Sequence, residues 1–153
     1  MLLAEVDRLY REQARAAVTD PITGLPNHRA VMSKIEEVVA DCQQTGNSCA
    51  VLFVDLDHFK QINDTWGHLA GDAILREAGT RLRRTLHPDD FVGRYGGEEF
   101  AIILTNTDVN RARQDAERSL LTIAEFPYFW ETDDTQVTIP ITASIGVAVY
   151  KLH

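Results

Sequence analysis

Apolar positions along the chain change their period several times, and each change marks an element. Residues 1 to about 18 place Leu2, Leu9 and Ala16 seven apart, and Leu3, Tyr10 and Ala17 seven apart, among charged neighbours. That spacing predicts a helix, and it suits equally the end of a coiled coil or an amphipathic helix packed on its own domain. Asp20-Pro21 stops this helix, since a proline disfavours helical backbone in the residue before it, and Thr23-Gly24-Leu25-Pro26-Asn27 makes a compact turn. From about 28 to 44, Val31, Ile35, Val38 and Val39 recur on one helical face, and Gly46-Asn47 closes that helix.

The pattern then shortens. Ala50-Val51-Leu52-Phe53-Val54 is an unbroken apolar run, as expected of a strand buried on both faces. Helical character follows over about 58–64 and again over about 70–84, where Ile74, Leu75, Ala78 and Leu82 repeat at helical spacing. Phe91–Tyr95 and Phe100–Leu104 flank Gly96-Gly97 and predict a β-hairpin. Residues 108–124 read as a charged amphipathic helix, and residues 137–142 and 144–149 as two further strands, with Pro140 favouring an edge or a bulge. The order predicts an α/β fold: a mixed central sheet of about five strands flanked by helices, preceded by an N-terminal linker helix. No internal repeat or low-complexity segment interrupts it.

Composition adds bounds to this picture. A length of 153 residues suits one domain, and a 44% hydrophobic, 25% charged chain is that of an ordinary soluble globular protein. A domain of this size buries about two-thirds of its unfolded surface, so it needs no disulfide staples. Cys42 and Cys49 lack metal-site spacing and are read as plain thiols in a reducing cytoplasm. The net charge of −8 opposes nucleic acid and anionic lipid, and suits a protein that uses a divalent cation to hold an anionic substrate. No apolar run approaches the roughly 20 residues of a membrane span, and the N-terminus lacks the pattern of a signal peptide.

Candidate chemistry gathers at two points. The buried strand runs into Asp55-Leu56-Asp57, and ligands collect where such strands end. Side chains two apart on an extended chain share a face, so Asp55 and Asp57 are placed to meet one metal; a helix N-cap at Asp57 explains the same pattern. At the hairpin, Gly96 and Gly97 permit positive φ and leave no side chains above the backbone, and Glu98 and Glu99 follow at once. Bringing these carboxylates beside Asp55 is costly without a cation, so one metal joining Glu98 to Asp55 accounts for both clusters. Between them, Asn63 and Asp72 offer an amide and a carboxylate suited to a guanine edge, although loop and cap chemistry explains them as well.

Several segments together resemble the GGDEF family of diguanylate cyclases. They are residues 20–27 (Asp-Pro-Ile-Thr-Gly-Leu-Pro-Asn), Asp55 to Asp64, Trp66-Gly67-His68 with Gly71-Asp72, and Gly93-Arg94-Tyr95-Gly96-Gly97-Glu98-Glu99-Phe100. Ser144-Ile145-Gly146-Val147-Ala148 resembles a later strand of the family, and the motifs keep family order over residues 20–148. The resemblance implies a sheet like that of nucleotide cyclases and polymerase palms, with a linker helix over 1–18 and a catalytic domain over 19–153. It implies condensation of two GTP into cyclic di-GMP and two pyrophosphates, with Mg²⁺, or alternatively Mn²⁺, as cofactor. The metal ligands would be the Asp55 and Glu98 side chains and the Leu56 carbonyl. Asn63 and Asp72 would read guanine, His68 would contact substrate, and Gly96 and Gly97 would admit it. Backbone N–H groups of His58 and Phe59 would hold the terminal phosphates, and Lys60 and Arg94 would lie near the phosphates to stabilise charge. Glu99 would be the base for the ribose 3′-hydroxyl, with a metal as the alternative activator. Since one domain holds one GTP and the product contains two, a homodimer with facing sites is implied, as are an upstream sensor and a cytoplasmic location. Nucleic acid and direct membrane contact are not.

Two departures stand out. Where many family members carry an Arg-x-x-Asp product-inhibition site, this chain reads His87-Pro88-Asp89-Asp90. An imidazole lacks the two-point grip of arginine, so weak product feedback is expected. Family members also continue into a further helix beyond the last strand, whereas this sequence ends at His153; either it is part of a longer chain or the domain is short by one helix. Two other functions remain in play: a regulatory module that binds GTP or cyclic di-GMP without turnover, and an interaction domain that dimerises through residues 1–18.

Overall fold

A computed structural model describes residues 1–152; the expected domain end at His153 lies outside the described residues. The chain forms α1 (Leu2–Ala16), α2 (His28–Thr45), β1 (Cys49–Leu56), α3 (Phe59–Trp66), α4 (His68–Thr85), β2 (Phe91–Gly96) and β3 (Glu99–Thr105). It continues through α5 (Val109–Ala124), β4 (Tyr128–Glu131), β5 (Gln136–Ile139) and β6 (Ala143–Tyr150). Local chemistry sets several of these ends. Asn27 accepts the Ala30 N–H to cap α2, Gly46 closes it at φ 76°, and Asp108 accepts the Arg111 N–H to cap α5.

β1 lies at the centre of a four-stranded sheet ordered β2-β3-β1-β6, with every pair antiparallel. The expected palm-like α/β fold is present, with four strands in the main sheet rather than about five, and with an antiparallel sheet rather than the mixed one expected. The difference lies after α5. Residues 136–139 do not join the main sheet; they pair with β4, a strand the sequence pattern did not resolve, as a separate two-stranded sheet. Pro140 falls in the link between β5 and β6, where no ladder N–H is required of it.

The main core fills one face of the sheet. Leu52, Val54 and Leu56 of β1, with Phe100, Ile102 and Leu104 of β3, pack against Ile74, Leu75, Ala78 and Leu82 of α4 and Ala112, Ala116 and Ile123 of α5. A smaller cluster joins α2 to the other face through Val38, Cys42, Cys49 and Ile103. Both cysteines are free and buried, as plain thiols should be. Burial and the neighbouring Cys42 push the Cys49 thiol up to about 12, so it stays protonated. α1 buries none of its residues, which disposes of the reading that it packs on its own domain. No helix among the described residues is long and apolar enough to cross a membrane.

Candidate active site

The site is built at one end of β1 by alternation. Leu52, Val54 and Leu56 turn into the core, so Asp55 must turn the other way, and it is exposed. Leu56 is buried at 1% exposure, which leaves only its backbone to face a ligand. The β2–β3 hairpin then brings its acids alongside: Glu99 is the register partner of Asp55, and Glu98 sits in the turn between Gly96 and Glu99. The Leu56 N–H donates to the Glu98 carbonyl at 3.2 Å, which ties the hairpin tip to the end of β1.

Electrostatics identify Asp55 as the unsatisfied member. Partial burial, then the charges of Glu98 and Asp57, raise its carboxyl above the ordinary range. A cation between Asp55 and Glu98 would remove that penalty, so the residues fit a divalent ion held by two carboxylates and the Leu56 carbonyl. No cluster of three or more His, Cys, Asp or Glu side chains suited to a metal occurs among the described residues.

Asp57 behaves differently from its neighbour. Its two oxygens accept from Thr142 Oγ1 at 2.7 Å and Ser144 Oγ at 2.8 Å, and its N–H donates to the Thr142 carbonyl at 2.9 Å. The period-two argument that paired it with Asp55 on one metal therefore meets a competing use. The N-cap explanation does not apply either, because His58 holds the cap position of α3 with no side-chain cap. Nothing in the strand pattern marked Thr142 and Ser144 as its partners.

At the hairpin, Gly97 has φ 21°, and a Cβ added at either glycine would meet only open space. Both leave room above the turn. Arg94 spans the base of that turn: Nε and Nη2 donate to the Gly97 carbonyl at 3.1 and 2.8 Å, and Nη1 pairs with Asp20 Oδ1 at 3.0 Å. Its guanidinium is thus mostly occupied in holding the hairpin to the Asp20–Asn27 turn. Burial alone would push the Asp20 carboxyl up, but the Thr23 amide and hydroxyl and the Arg94 charge more than offset this and hold it below the ordinary range. Lys60, by contrast, is exposed on the first turn of α3 and forms no ion pair among the described residues.

Between α3 and α4 lies the third part. Asn63 Oδ1 is buried with no partner, and a Cβ at Gly71 would stand 1.9 Å from it. The helices approach there only because residue 71 has no side chain. Gly67 caps both helix ends without side-chain help, and among the described hydrogen bonds none uses the Asn63 or Asp72 side chain. Cap chemistry therefore does not account for either residue. An orphaned buried amide oxygen is the mark of a group awaiting a donor. His68 is exposed at the start of α4, and Asp72 is half-buried one turn later. His58 is exposed with φ 57°, a left-handed conformation uncommon outside glycine, and Phe59 is buried at 8%. In the His87-Pro88-Asp89-Asp90 segment, the His87 N–H donates to Asp90 Oδ2 at 3.2 Å, so the Asp90 carboxylate closes its own turn.

The structure is thus an α/β palm with acids at the end of a buried inner strand and an open glycine turn beside them. Comparison with known proteins makes the assignment specific. The profile of the diguanylate cyclase GGDEF domain matches residues 17–153, and the chain belongs to that family. It is 39% identical over 140 residues to the diguanylate cyclase DgcP of Pseudomonas aeruginosa, covering 92% of this chain and 20% of that protein. With the response regulator PleD of Caulobacter vibrioides it shares 37% over 132 residues, 86% of this chain and 29% of that protein. The fold matches the coiled coil and GGDEF domain of DgcB from Caulobacter crescentus, solved with c-di-GMP, at a TM-score of 0.86 and 32% identity, over 97% of this chain and 79% of that one. The chain spans between a fifth and two-fifths of the length of curated relatives that it matches.

Proposed function

We propose that this domain is a diguanylate cyclase that condenses two GTP into cyclic di-GMP and two pyrophosphates. The observation that carries the reading is the pairing of two unsatisfied features: Asp55 at the end of β1, raised by partial burial and then by the charges of Glu98 and Asp57, and Asn63 Oδ1 within α3, buried without a donor. A metal-triphosphate would relieve the first and a guanine edge the second. Family membership and the similarity to proteins named diguanylate cyclases support the same conclusion.

In this reading Asp55, Glu98 and the Leu56 carbonyl would hold Mg²⁺, or Mn²⁺ in its place, which would supply charge neutralisation at the phosphates. Asn63 and Asp72 select guanine, and the exposed His68 at the start of α4 contacts the substrate. The His58 and Phe59 amides, at the start of α3, receive the terminal phosphates. Lys60, free of any described ion pair, is the mobile cation for charge that develops on the leaving pyrophosphate. Arg94 serves the phosphates less directly, by fixing the glycine turn through which substrate enters. Glu99 accepts the proton of the ribose 3′-hydroxyl that attacks the α-phosphate of the second GTP. Two domains must face each other for that attack, so catalysis consists of positioning and charge neutralisation across a homodimer. The exposed apolar positions Leu2, Val6 and Leu9 of α1 suit a two-helix seam linking the pair to a sensor domain upstream. His87 in place of arginine leaves product feedback weak.

The test is direct. Incubation with GTP and Mg²⁺ should yield cyclic di-GMP and pyrophosphate, at a rate per protein that rises with protein concentration as dimers form. GTP binding with no product under those conditions would replace the enzyme with a binding module.

A further inference from the structure

The second aspartate of Asp55-Leu56-Asp57 has a task of its own. From the hydrogen bonds that fill its carboxylate, we infer that Asp57 is a positioning residue: it locks the turn between the metal end of β1 and the phosphate end of α3 against the start of β6. The inference rests on the nucleotide reading above for its consequence, but not for its geometry.

That turn is short and strained. It carries the Leu56 carbonyl, then the amides of His58 and Phe59, and His58 stands at φ 57° and ψ 28°. A non-glycine residue stays in that conformation only where its surroundings hold it. Two attachments do so. On one side the Leu56 N–H is bound by the Glu98 carbonyl of the hairpin tip at 3.2 Å. On the other, Asp57 makes three bonds to the end of the β5–β6 link and the start of β6: N–H to the Thr142 carbonyl at 2.9 Å, Oδ2 from Thr142 Oγ1 at 2.7 Å and Oδ1 from Ser144 Oγ at 2.8 Å. Each carboxylate oxygen thus has a hydroxyl donor, and neither is turned over to a cation. The partners lie 85 and 87 residues away in sequence, so the bonds fasten two separate parts of the fold rather than shape a local turn. Charge-assisted bonds of this kind are the stronger class and define direction as well as distance. The division of labour is plain: Asp55 supplies charge to the metal, and Asp57 supplies the frame that sets the adjacent carbonyl and amides.

The two roles separate experimentally because asparagine keeps the frame and loses the charge. Its Oδ1 accepts from one hydroxyl and its Nδ2 donates to the other. The full protein is compared with Asp57→Asn, Asp57→Ala and the double variant Thr142→Val/Ser144→Ala, each shown to melt cooperatively. Mg²⁺-dependent activity, GTP affinity by calorimetry and amide hydrogen exchange over residues 57–60 are then measured. Asp57→Asn should keep the Mg²⁺ midpoint within about twofold and kcat within about threefold of the wild type, whereas Asp57→Ala should lose about tenfold in GTP affinity. The Thr142→Val/Ser144→Ala variant, which leaves every acid in place, should reproduce the Asp57→Ala loss, and combining the two should add little. Amide exchange over 57–60 should quicken in both. That last readout needs no nucleotide, so it tests the clamp even if the wild type binds no GTP, a result that would sink the nucleotide reading alone. A tenfold or greater rise in the Mg²⁺ midpoint for Asp57→Asn would make Asp57 a metal ligand. Unchanged exchange and affinity in the hydroxyl-free variant would equally overturn the clamp.

Discussion

Two aspartates sit in contrasting surroundings within this small domain. Asp20 is enclosed: its side chain is 13% exposed, Arg94 pairs with it, Thr23 donates to it twice, and its carboxyl lies below the ordinary range. Asp55, more exposed but partly desolvated beside the charges of Glu98 and Asp57, lies above that range. The first acid has every partner it needs and fastens the fold. The second, partly desolvated beside like charges, contributes to stability with the wrong sign. A folded protein holds such a group where a ligand is to complete it.

The comparison breaks most sharply at Asp55. Asp55→Asn should lower cyclic di-GMP formation about a hundredfold or more, because the metal loses a charged ligand. The same variant should melt about 1–2 °C higher without metal, as cross-strand and diagonal repulsion is removed. A drop in melting temperature with activity retained would mean that the two aspartates play similar roles after all.

Gly71→Ala probes the neighbouring unsatisfied group. Its Cβ would fall 1.9 Å from Asn63 Oδ1, so the amide must move. About a tenfold loss of preference for GTP over ATP is expected in steady-state kinetics, with kcat less affected than KM.

For the enclosed acid, Asp20→Asn and Arg94→Ala should each cost about 2 kcal/mol in denaturant unfolding, with strong coupling in the double variant. The sign of the pH effect follows from the lowered carboxyl. Its contribution is present above the unfolded-state value, near 4 for an aspartate, and is lost as pH falls through the folded-state value. Asp20→Asn should therefore flatten the acid limb of the stability profile, which unfolding between pH 2 and 5 would record.

The smallest effect is expected where an unsatisfied group has no ligand in view. Tyr128 is buried at 1% with no partner for its hydroxyl, beneath the Arg81 guanidinium at 3.8 Å from the ring centre. Burial pushes that hydroxyl up to about 12. Tyr128→Phe keeps the ring and the cation–π contact, so thermal unfolding should shift by no more than about 2 °C, upward if at all.

Much of this molecule was legible in the order of its residues. β1, α4 and the β2–β3 hairpin follow from unbroken apolar runs, helical spacing and a glycine pair, and the motifs from Asp20 to Ala148 identify the family without coordinates. β4 and β5 form a local hairpin apart from the main sheet, and β4, four residues long, is too short to stand out in the pattern. The other features that stayed illegible are long-range. The Arg94–Asp20 pair joins residues 74 apart, and the Asp57 clamp joins residues more than 80 apart. Periodicity reports only what a residue's near neighbours do.

The sequence by itself therefore determined which elements form, which acids lie at the end of β1 and at the hairpin, and the family to which they belong. Only the tertiary structure decided how those acids divide their work. Whether a carboxylate is spent on a hydroxyl, an arginine or an ion depends on which distant donor the fold brings within about 3 Å, and hydrogen bonds and charges act at that range and not along the chain.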